Sequence, residues 1–378
     1  MFKRVFLHIG QSKTGTTSLQ NFLAEHRDIL AKNGILYPDF YSNGIAVHTK
    51  EHNPLAQALV DVQRYPFLSL DDYFRQFEEQ AKTLNCDTLF LSAEGFFGSP
   101  HIWTMDNPDD FFELHAQKIK RLKSFLGNAD IHLLLYLRAQ DDWFNSSVAQ
   151  IIRYEGLLGK KIYQDDAQLF EFLKPHMDYV KLVNLWQSHL SPQKMSIIPF
   201  EKETLIQKNT IPDALTRLKL LDIFEKTDFE KLDDEHISLP HEAVLFKAKL
   251  NQTPCSKPVE RVRNQLCTQL AQHMGSGMSY QISYNLRQKI IQDFEQDNQT
   301  LKKKFDFDGF VSDKKIKANN LDAQTLEDRL VAFDFAYHLA WPTLHTKYLI
   351  VKEYTKDFTR KKMPLLHSLL RKAKRKVS

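Results

Sequence analysis

Residues 7–23 read LHIGQSKTGTTSLQNFL, and this stretch decides the fold. It starts within residues 5–9, a short apolar run of the kind that forms a buried β-strand. Beyond Thr17 the apolar residues recur every three or four positions, as they do on one face of an α-helix. Gly10 and Gly15 stand between the two patterns and allow the backbone to turn sharply. The stretch therefore predicts a strand, a tight turn and a helix.

The predicted turn has the elements of an anion site. Backbone N–H groups at the start of a helix have no partner within the helix, and they lie at the positive end of its dipole. Three hydroxyl side chains follow Gly15, and Lys13 adds a mobile charge before it, whereas a nucleoside-triphosphate loop has its lysine after the glycine. The alternative interpretation is a plain turn with a helix cap. The predicted anion-binding residues are Lys13, Thr14, Gly15, Thr16, Thr17 and Ser18.

Three further segments have the pattern of buried strands, at residues 87–94, 130–138 and 194–201, and helical patterns separate them. Strands that alternate with helices form a parallel sheet covered by helices on both faces. Ligands of such sheets bind at the carboxyl ends of the strands. Beyond about residue 225 the patterns are mostly helical. The predicted fold class is therefore α/β, a parallel β-sheet flanked by helices, with a mainly helical C-terminal region.

The composition is that of a globular protein from a reducing compartment. The chain has 378 residues, of which 42% are hydrophobic, and its three cysteines lie far apart in the sequence. No apolar run approaches the ~20 residues that span a bilayer, and the first one is too short for a signal peptide. These features predict a cytoplasmic protein without a disulfide framework.

The C-terminal segment 356–378 differs from the rest of the chain in charge. It holds nine Lys/Arg and one acid, a balance of +8 against +4 for the whole chain, so the other residues sum to −4. A mildly acidic body does not suit nucleic-acid binding. The segment is interpreted either as a basic amphipathic helix on an anionic membrane surface or as a disordered solubilising tail. The predicted parts are an α/β core over residues 1–225, a mainly helical extension over residues 226–355, and this tail.

The string KTGTTSLQ, residues 13–20, resembles the 5′-phosphosulfate loop of sulfotransferases that use 3′-phosphoadenosine-5′-phosphosulfate (PAPS). In that family an arginine ends a central strand and a serine follows eight residues later, as Arg138 and Ser146 do in LLLYLRAQDDWFNSSV. The stretches GILYPDF, LFLSAEGFF, IIPFEKETL and FEQDNQTLKKKF look like parts of bacterial sulfotransferases of the carbohydrate type. The resemblance implies a P-loop NTPase-like sulfotransferase fold, PAPS as donor, a carbohydrate or glycolipid acceptor, and no metal.

Arg138 and Ser146 are the predicted ligands of the donor's 3′-phosphate. At the carboxyl end of a strand, Arg138 offers a forked, permanently charged donor group. Ser146 offers a hydroxyl from the first turns of the next helix, which Asp141 or Asp142 would cap. Ser147 is less suitable because one step along a helix turns a side chain by roughly 100°. The alternative role of Arg138 is a surface salt bridge.

Glu94 is the predicted general base. It closes the second strand pattern, at the same edge of the sheet as the loop. In the carbohydrate branch of the sulfotransferases a glutamate in this region acts as the base, and the resemblance carries this role to Glu94. Burial beside Phe96 and Phe97 would raise its pKa toward the working pH of the enzyme. The alternative is a glutamate that caps the strand end or pairs with an arginine.

Four other residues are considered for the site. His48 and His52 lie between the first helix and the second strand pattern, where related sequences often carry a histidine. Either could contact the donor or the acceptor, or be solvated on a loop. His8 lies inside the first strand and is predicted to be packed. Trp143 could stack on adenine, although a core position at the start of an amphipathic helix is favoured.

Three functions are compatible with these patterns. The first is sulfuryl transfer from PAPS to a carbohydrate hydroxyl by in-line displacement, with Lys13 stabilising the leaving phosphate and Glu94 as the base. The second is a Mg-ATP-dependent small-molecule kinase on a related fold, although a Gly-Lys-Ser/Thr run and an aspartate placed for magnesium are missing from the sequence patterns. The third is a non-catalytic relative that binds a glycan or a membrane. The sequence specifies neither the acceptor nor the oligomeric state.

Overall fold

The computed structural model describes most of the chain up to residue 353. The described residues are 2–42, 45–48, 50–61, 68–98, 110–158, 162–224, 227, 229, 239–273, 279–311, 323–341, 347, 349–350 and 352–353. The predicted basic tail, residues 356–378, lies outside them, so its interpretation as a membrane-binding or a solubilising segment stays a prediction.

The described residues contain seven strands. They are β1 Arg4–His8, β2 Ile35–Leu36, β3 Phe40–Ser42, β4 Ile45–His48, β5 Thr88–Ser92, β6 Asp130–Leu137 and β7 Lys194–Pro199. Five of them form one parallel sheet in the order β2-β5-β1-β6-β7, while β3 and β4 form a separate antiparallel pair. The four strands expected from the sequence are β1, β5, β6 and β7, so the predicted parallel sheet is confirmed.

Helices follow the strands and then dominate the C-terminal part. The α-helices among the described residues are α1 Thr16–Glu25, α2 Arg27–Lys32, α3 Asn53–Ala58, α4 Leu70–Leu84, α5 Glu94–Phe97, α6 Phe111–Leu126, α7 Gln140–Leu158, α8 Asp166–Met177, α9 Tyr179–Leu190, α10 Thr210–Arg217, α11 His241–Asn251, α12 Lys257–His273, α13 Tyr284–Lys304 and α14 Ala323–Ala340. Two short 3₁₀-helices, Ile206–Lys208 and Leu221–Phe224, flank α10. The α/β class and the mainly helical C-terminal region are thus as predicted.

The sheet is covered on both faces because the side chains of its strands alternate between two hydrophobic cores. From β1, Val5 and Leu7 enter a core that includes residues of α6 and α9. Phe6, between them, enters a second core that includes residues of α1 and α10. Burial on both faces explains why β1 is a continuous apolar run in the sequence.

The carboxyl ends of three neighbouring strands lie at one edge of the sheet. β1 lies between β5 and β6, and all three run parallel. Beyond the strand ends, the backbone N–H of Ala93 donates to the carbonyl oxygen of His8 at 3.1 Å. The loop after β1, Glu94 after β5 and Arg138 after β6 therefore leave the sheet at the same edge.

The chain forms two compact units that are not continuous in sequence. One unit draws on segments 1–143, 172–235 and 290–314, and the other on segments 144–171, 236–289 and 315–378. Boundaries between the segments of the two units fall within α7, α8 and α13. The division of the chain at residues 225 and 355 stays a prediction. The sheet and its covering helices belong to the first unit.

None of the helices in the described part of the chain has both the length and the apolar character required to cross a membrane.

Candidate functional site

The loop between β1 and α1 has an uncommon backbone conformation. Lys13 has φ of 69° and Gly15 has φ of 70°, both in the left-handed region. This region is unfavourable for a side chain such as lysine, and such strain is concentrated at functional sites. The buried hydroxyl of Thr14 donates to the carbonyl oxygen of Gln11 at 2.6 Å and closes the turn. This hydrogen bond within the loop stabilises the turn.

The start of α1 is open to an anion. Gly15 is the cap residue and has no side chain that could cap the helix, and the first turn contains no acidic residue. Its N–H groups and the helix dipole thus attract negative charge. Thr17 and Ser18 are partly exposed, while Thr16 is buried. These two partly exposed residues could offer their hydroxyls to a ligand at this position.

Both glycines of the loop are required by close contacts. A Cβ atom on Gly10 would lie 2.3 Å from the side-chain methyl of Thr16. A Cβ atom on Gly15 would lie 2.6 Å from Thr210 Oγ1. The side chain of Thr210 is buried and cannot withdraw. The loop therefore packs directly against the first residue of α10.

We expect Gly15→Ala to lower the free energy of unfolding by more than about 1 kcal/mol, because the left-handed backbone and the contact with Thr210 both oppose a side chain. Gly34→Ala is the matched control, since Gly34 also has a positive φ of 74° but its Cβ would meet only Asp87 Oδ1 at 4.0 Å. Urea denaturation measures both losses. Equal losses would show that the contact with Thr210 is unimportant.

Glu94 faces the loop from the end of the neighbouring strand. It begins the short helix α5, two residues after β5 ends, and does not close the strand as the sequence pattern suggests. The hydroxyl of Thr16 donates to Glu94 Oε1. Burial is the main cause that raises the pKa of Glu94, and the charge of Glu51 adds to it, whereas Thr16 and Lys13 act in the opposite direction. The carboxyl group therefore lies within the field of the loop lysine.

Arg138 is fixed to the loop through its backbone. Its N–H donates to Gln11 Oε1 at 2.8 Å, and its carbonyl oxygen accepts from the hydroxyl of Tyr179 at 2.8 Å. Gln11 Nε2 donates to the same Tyr179 oxygen at 2.7 Å and completes the triangle. The guanidinium-bearing side chain is partly exposed. The structure thus brings Arg138 and the loop together.

Sequence reasoning missed the two residues that make this connection, Gln11 and Tyr179. Both are buried, at 2% and 1% exposure. Gln11 is a long amide in a loop of small residues, which is a signal that could have been used. Tyr179 is 168 positions away in the chain, and no local pattern indicates its contact.

Ser146 lies on α7, in the part of the helix that belongs to the second unit. It is partly exposed, whereas Ser147 is buried at 8% exposure. The exposure agrees with the preference for Ser146 over Ser147. That Ser146 binds the same phosphate as Arg138 stays a prediction.

Ring nitrogens of His8 and His52, two histidines near the site, contact other groups of the protein. His52 is buried: its backbone-facing Nδ1 accepts from the N–H of Ser92 at 2.9 Å, and its Nε2 lies 3.2 Å from the carbonyl oxygen of Pro38. Both ring nitrogens of His52 thus have partners within the protein. Buried His8 contacts Ser92 Oγ at 2.7 Å, and burial lowers its pKa to about 3, as expected for a packed residue. The side chain of His48 lies outside the described residues.

Trp143 has the core position that the sequence favours. It is 5% exposed, and its ring stacks on His176 with 6.4 Å between centroids. Its Nε1–H donates to Ser12 Oγ at 3.3 Å, which anchors the loop from a second side. Burial of the ring favours this core role over stacking on adenine.

A surface groove of about 710 Å³ occurs elsewhere in the first unit, between α9 and α13. Its lining residues are Asp178, Val180, Lys181, Asn184, Leu185, Gln187, Ser188, Asp297 and Lys304. It contains none of the predicted site residues. In the described ranges, no three His, Cys, Asp or Glu side chains converge as metal ligands would.

No protein-family model, curated protein or solved structure matches the chain. Function is therefore inferred from the geometry of the site and from the resemblance of residues 13–20.

Proposed function

We propose that this protein transfers the sulfuryl group of PAPS to a hydroxyl group of a carbohydrate, on a P-loop NTPase-like sulfotransferase fold. One observation supports this most: three predicted site elements meet at a single edge of the sheet. The loop with Lys13 follows β1, and Glu94 follows β5 and accepts from the loop. Arg138 follows β6 and is held to the loop by Gln11.

The donor would lie along this edge with its two ends on different strands. Its 5′-phosphosulfate would bind at the N-terminus of α1, where N–H groups and the hydroxyls of Thr17 and Ser18 meet the helix dipole. Its 3′-phosphate would bind Arg138, whose guanidinium forms two parallel hydrogen bonds to a phosphate. Gln11 accepts from the backbone N–H of Arg138 and from the hydroxyl of Thr14, so it links Arg138 to the loop that leads into α1.

The reaction is an in-line displacement at sulfur. The acceptor oxygen forms a bond to sulfur, and the bond from sulfur to the bridging oxygen of the 5′-phosphate breaks. The electron pair leaves with that oxygen, so negative charge develops on the 5′-phosphate and adenosine 3′,5′-bisphosphate is released. Lys13 and the N–H groups of the loop would stabilise this charge.

Glu94 would take the proton of the acceptor hydroxyl as the new bond forms. Burial raises its pKa, which makes the carboxylate a stronger base than an exposed glutamate. The neighbouring Lys13 and Thr16 partly offset this effect and help to keep the group ionised. A general base is most effective when its pKa lies near the working pH, and a raised pKa brings a glutamate closer to neutral pH.

Ligand-induced stabilisation tests the proposal. Adenosine 3′,5′-bisphosphate without magnesium is expected to raise the melting temperature, because a ligand at about 100 times its Kd stabilises a protein by about 2.7 kcal/mol. Adenosine 5′-phosphate, which lacks the 3′-phosphate, is the matched ligand and should give a smaller shift. A response confined to Mg-ATP would instead indicate a kinase. An unchanged melting temperature with all three nucleotides would contradict both a sulfotransferase and a kinase.

Transfer of radiolabel from PAPS to extracted carbohydrates would then identify the acceptor. The label should appear in a sugar-containing product and should require the carboxylate of Glu94.

A further inference from the structure

A buried lysine lies under the short helix that carries Glu94. Lys118, on α6, has 1% exposure, although lysine is almost never fully buried. Its Nζ donates to the carbonyl oxygens of Gly95 and Gly98, each at 2.9 Å. The same nitrogen lies 3.2 Å from Nε2 of His115, one turn earlier on α6. Lys118 therefore connects α6 to both ends of α5.

The Lys118 amine has three polar partners. An ammonium group has three N–H donors, and three acceptors are present when Nε2 of His115 carries no proton. His115 is itself hydrogen-bonded to the backbone of Phe96 and Phe97, within α5. Burial holds the pKa of Lys118 well below its usual value. The hydrogen bonds to these partners offset the free-energy cost of burying the polar amine.

The opposite side of α5 is held by Asn53, on α3. Its Oδ1 accepts from the backbone N–H of Gly95 at 2.7 Å. Gly95 is thus fixed through both its N–H and its carbonyl group, and it is the residue directly after Glu94. A helix of four residues has too few internal hydrogen bonds to hold its own orientation. The position of the Glu94 carboxyl is therefore set from outside the helix.

We infer that Lys118 and Asn53 are positioning residues that clamp α5 and hold the Glu94 carboxyl against the loop that contains Thr16. The role of Glu94 as a base in this inference rests on the proposed function. The clamp itself is a property of the fold and is independent of any substrate.

The test compares Lys118→Met, which keeps the apolar stem and removes the donors, with Lys120→Met, the same change at an exposed position of α6. In protein with ¹³C-labelled glutamate, the Glu94 carboxyl resonance is assigned with Glu94→Gln and titrated. Lys118→Met should shift the pKa of Glu94 back toward the ordinary glutamate value, because a loosened α5 lets water reach the carboxyl. It should lower kcat by about 10²-fold with the Kd of adenosine 3′,5′-bisphosphate unchanged, since a base displaced by 1 Å loses about that much.

Asn53→Ala provides a second variant if Lys118→Met does not fold. Asn53 is only partly buried, and its loss frees the N–H of Gly95 while the hydrogen bonds of Lys118 are retained. The same return of the Glu94 pKa is expected. The inference is overturned if a folded Lys118→Met or Asn53→Ala protein keeps the wild-type titration of Glu94. The titration needs no donor, so its result stands even if sulfuryl transfer is not observed.

Discussion

Replacement of Lys13 by alanine is expected to lower the rate of sulfuryl transfer about 10²- to 10³-fold, which is the loss seen when one group that stabilises developing charge is removed. Donor affinity should fall much less, because the N–H groups of the loop and Arg138 still bind the two phosphates. In the proposed mechanism, Lys13 acts mainly when the leaving 5′-phosphate gains charge. Single-turnover rates with labelled PAPS, measured beside the Kd of adenosine 3′,5′-bisphosphate, separate the two effects.

Lys219→Ala is the matched control for this variant. Lys219 is exposed and also has a positive φ, 58° against 69° for Lys13, so both alanines have the same unfavourable backbone conformation. Only the loss of charge at the loop differs. Near-normal turnover of Lys13→Ala, or an equal loss in Lys219→Ala, would remove Lys13 from the mechanism.

Glu94→Gln is expected to reduce transfer about 10²- to 10⁴-fold, the usual contribution of a general base. The glutamine keeps an oxygen that accepts from Thr16, so the loop should remain in place. The same substitution should increase the free energy of unfolding at neutral pH. This gain follows from the raised pKa of Glu94, because ionising a buried carboxyl opposes folding. Loss of function together with a gain in stability is typical of active-site residues.

The raised pKa of Glu94 also determines how the stability gain of Glu94→Gln depends on pH. A carboxyl whose pKa is raised in the folded state contributes stability below the unfolded pKa, here 4.5, and this contribution is lost as the pH rises through the folded pKa. The stability difference between Glu94→Gln and the wild type should therefore be small near pH 4 and grow until the folded pKa is passed. Denaturation from about pH 4 to about pH 8 measures it. Glu78→Gln, at an exposed residue of α4, controls for the loss of one charge.

A flat difference across this range would mean that Glu94 is solvated like any surface glutamate. If Glu94→Gln transfers the sulfuryl group at the wild-type rate, Glu94 is not the general base, whatever its effect on stability.

Local sequence patterns predicted the strands and helices that neighbouring residues specify. The helix α4, in one of the helical patterns between the strands, begins at Leu70 because Ser69 accepts from the N–H of Asp72 and donates its own N–H to the Asp72 carboxylate. Local patterns did not predict the features that depend on tertiary contacts. The helical pattern after Thr17 is interrupted at His26, which separates α1 from α2 and whose ring stacks on Phe22. The strands β2, β3 and β4 are too short to show a period of their own.

The sequence by itself determined the strand, turn and helix of residues 7–23, the parallel sheet, and the candidates Lys13, Glu94 and Arg138. Periodicity and glycine placement are properties of neighbouring residues, and the carboxyl ends of parallel strands meet at one edge by topology alone. Only the tertiary structure decided how these groups are held, through Gln11 and Lys118. Their contacts join segments that are far apart in the chain, and a buried amide or amine has no period or spacing that a local pattern could reveal.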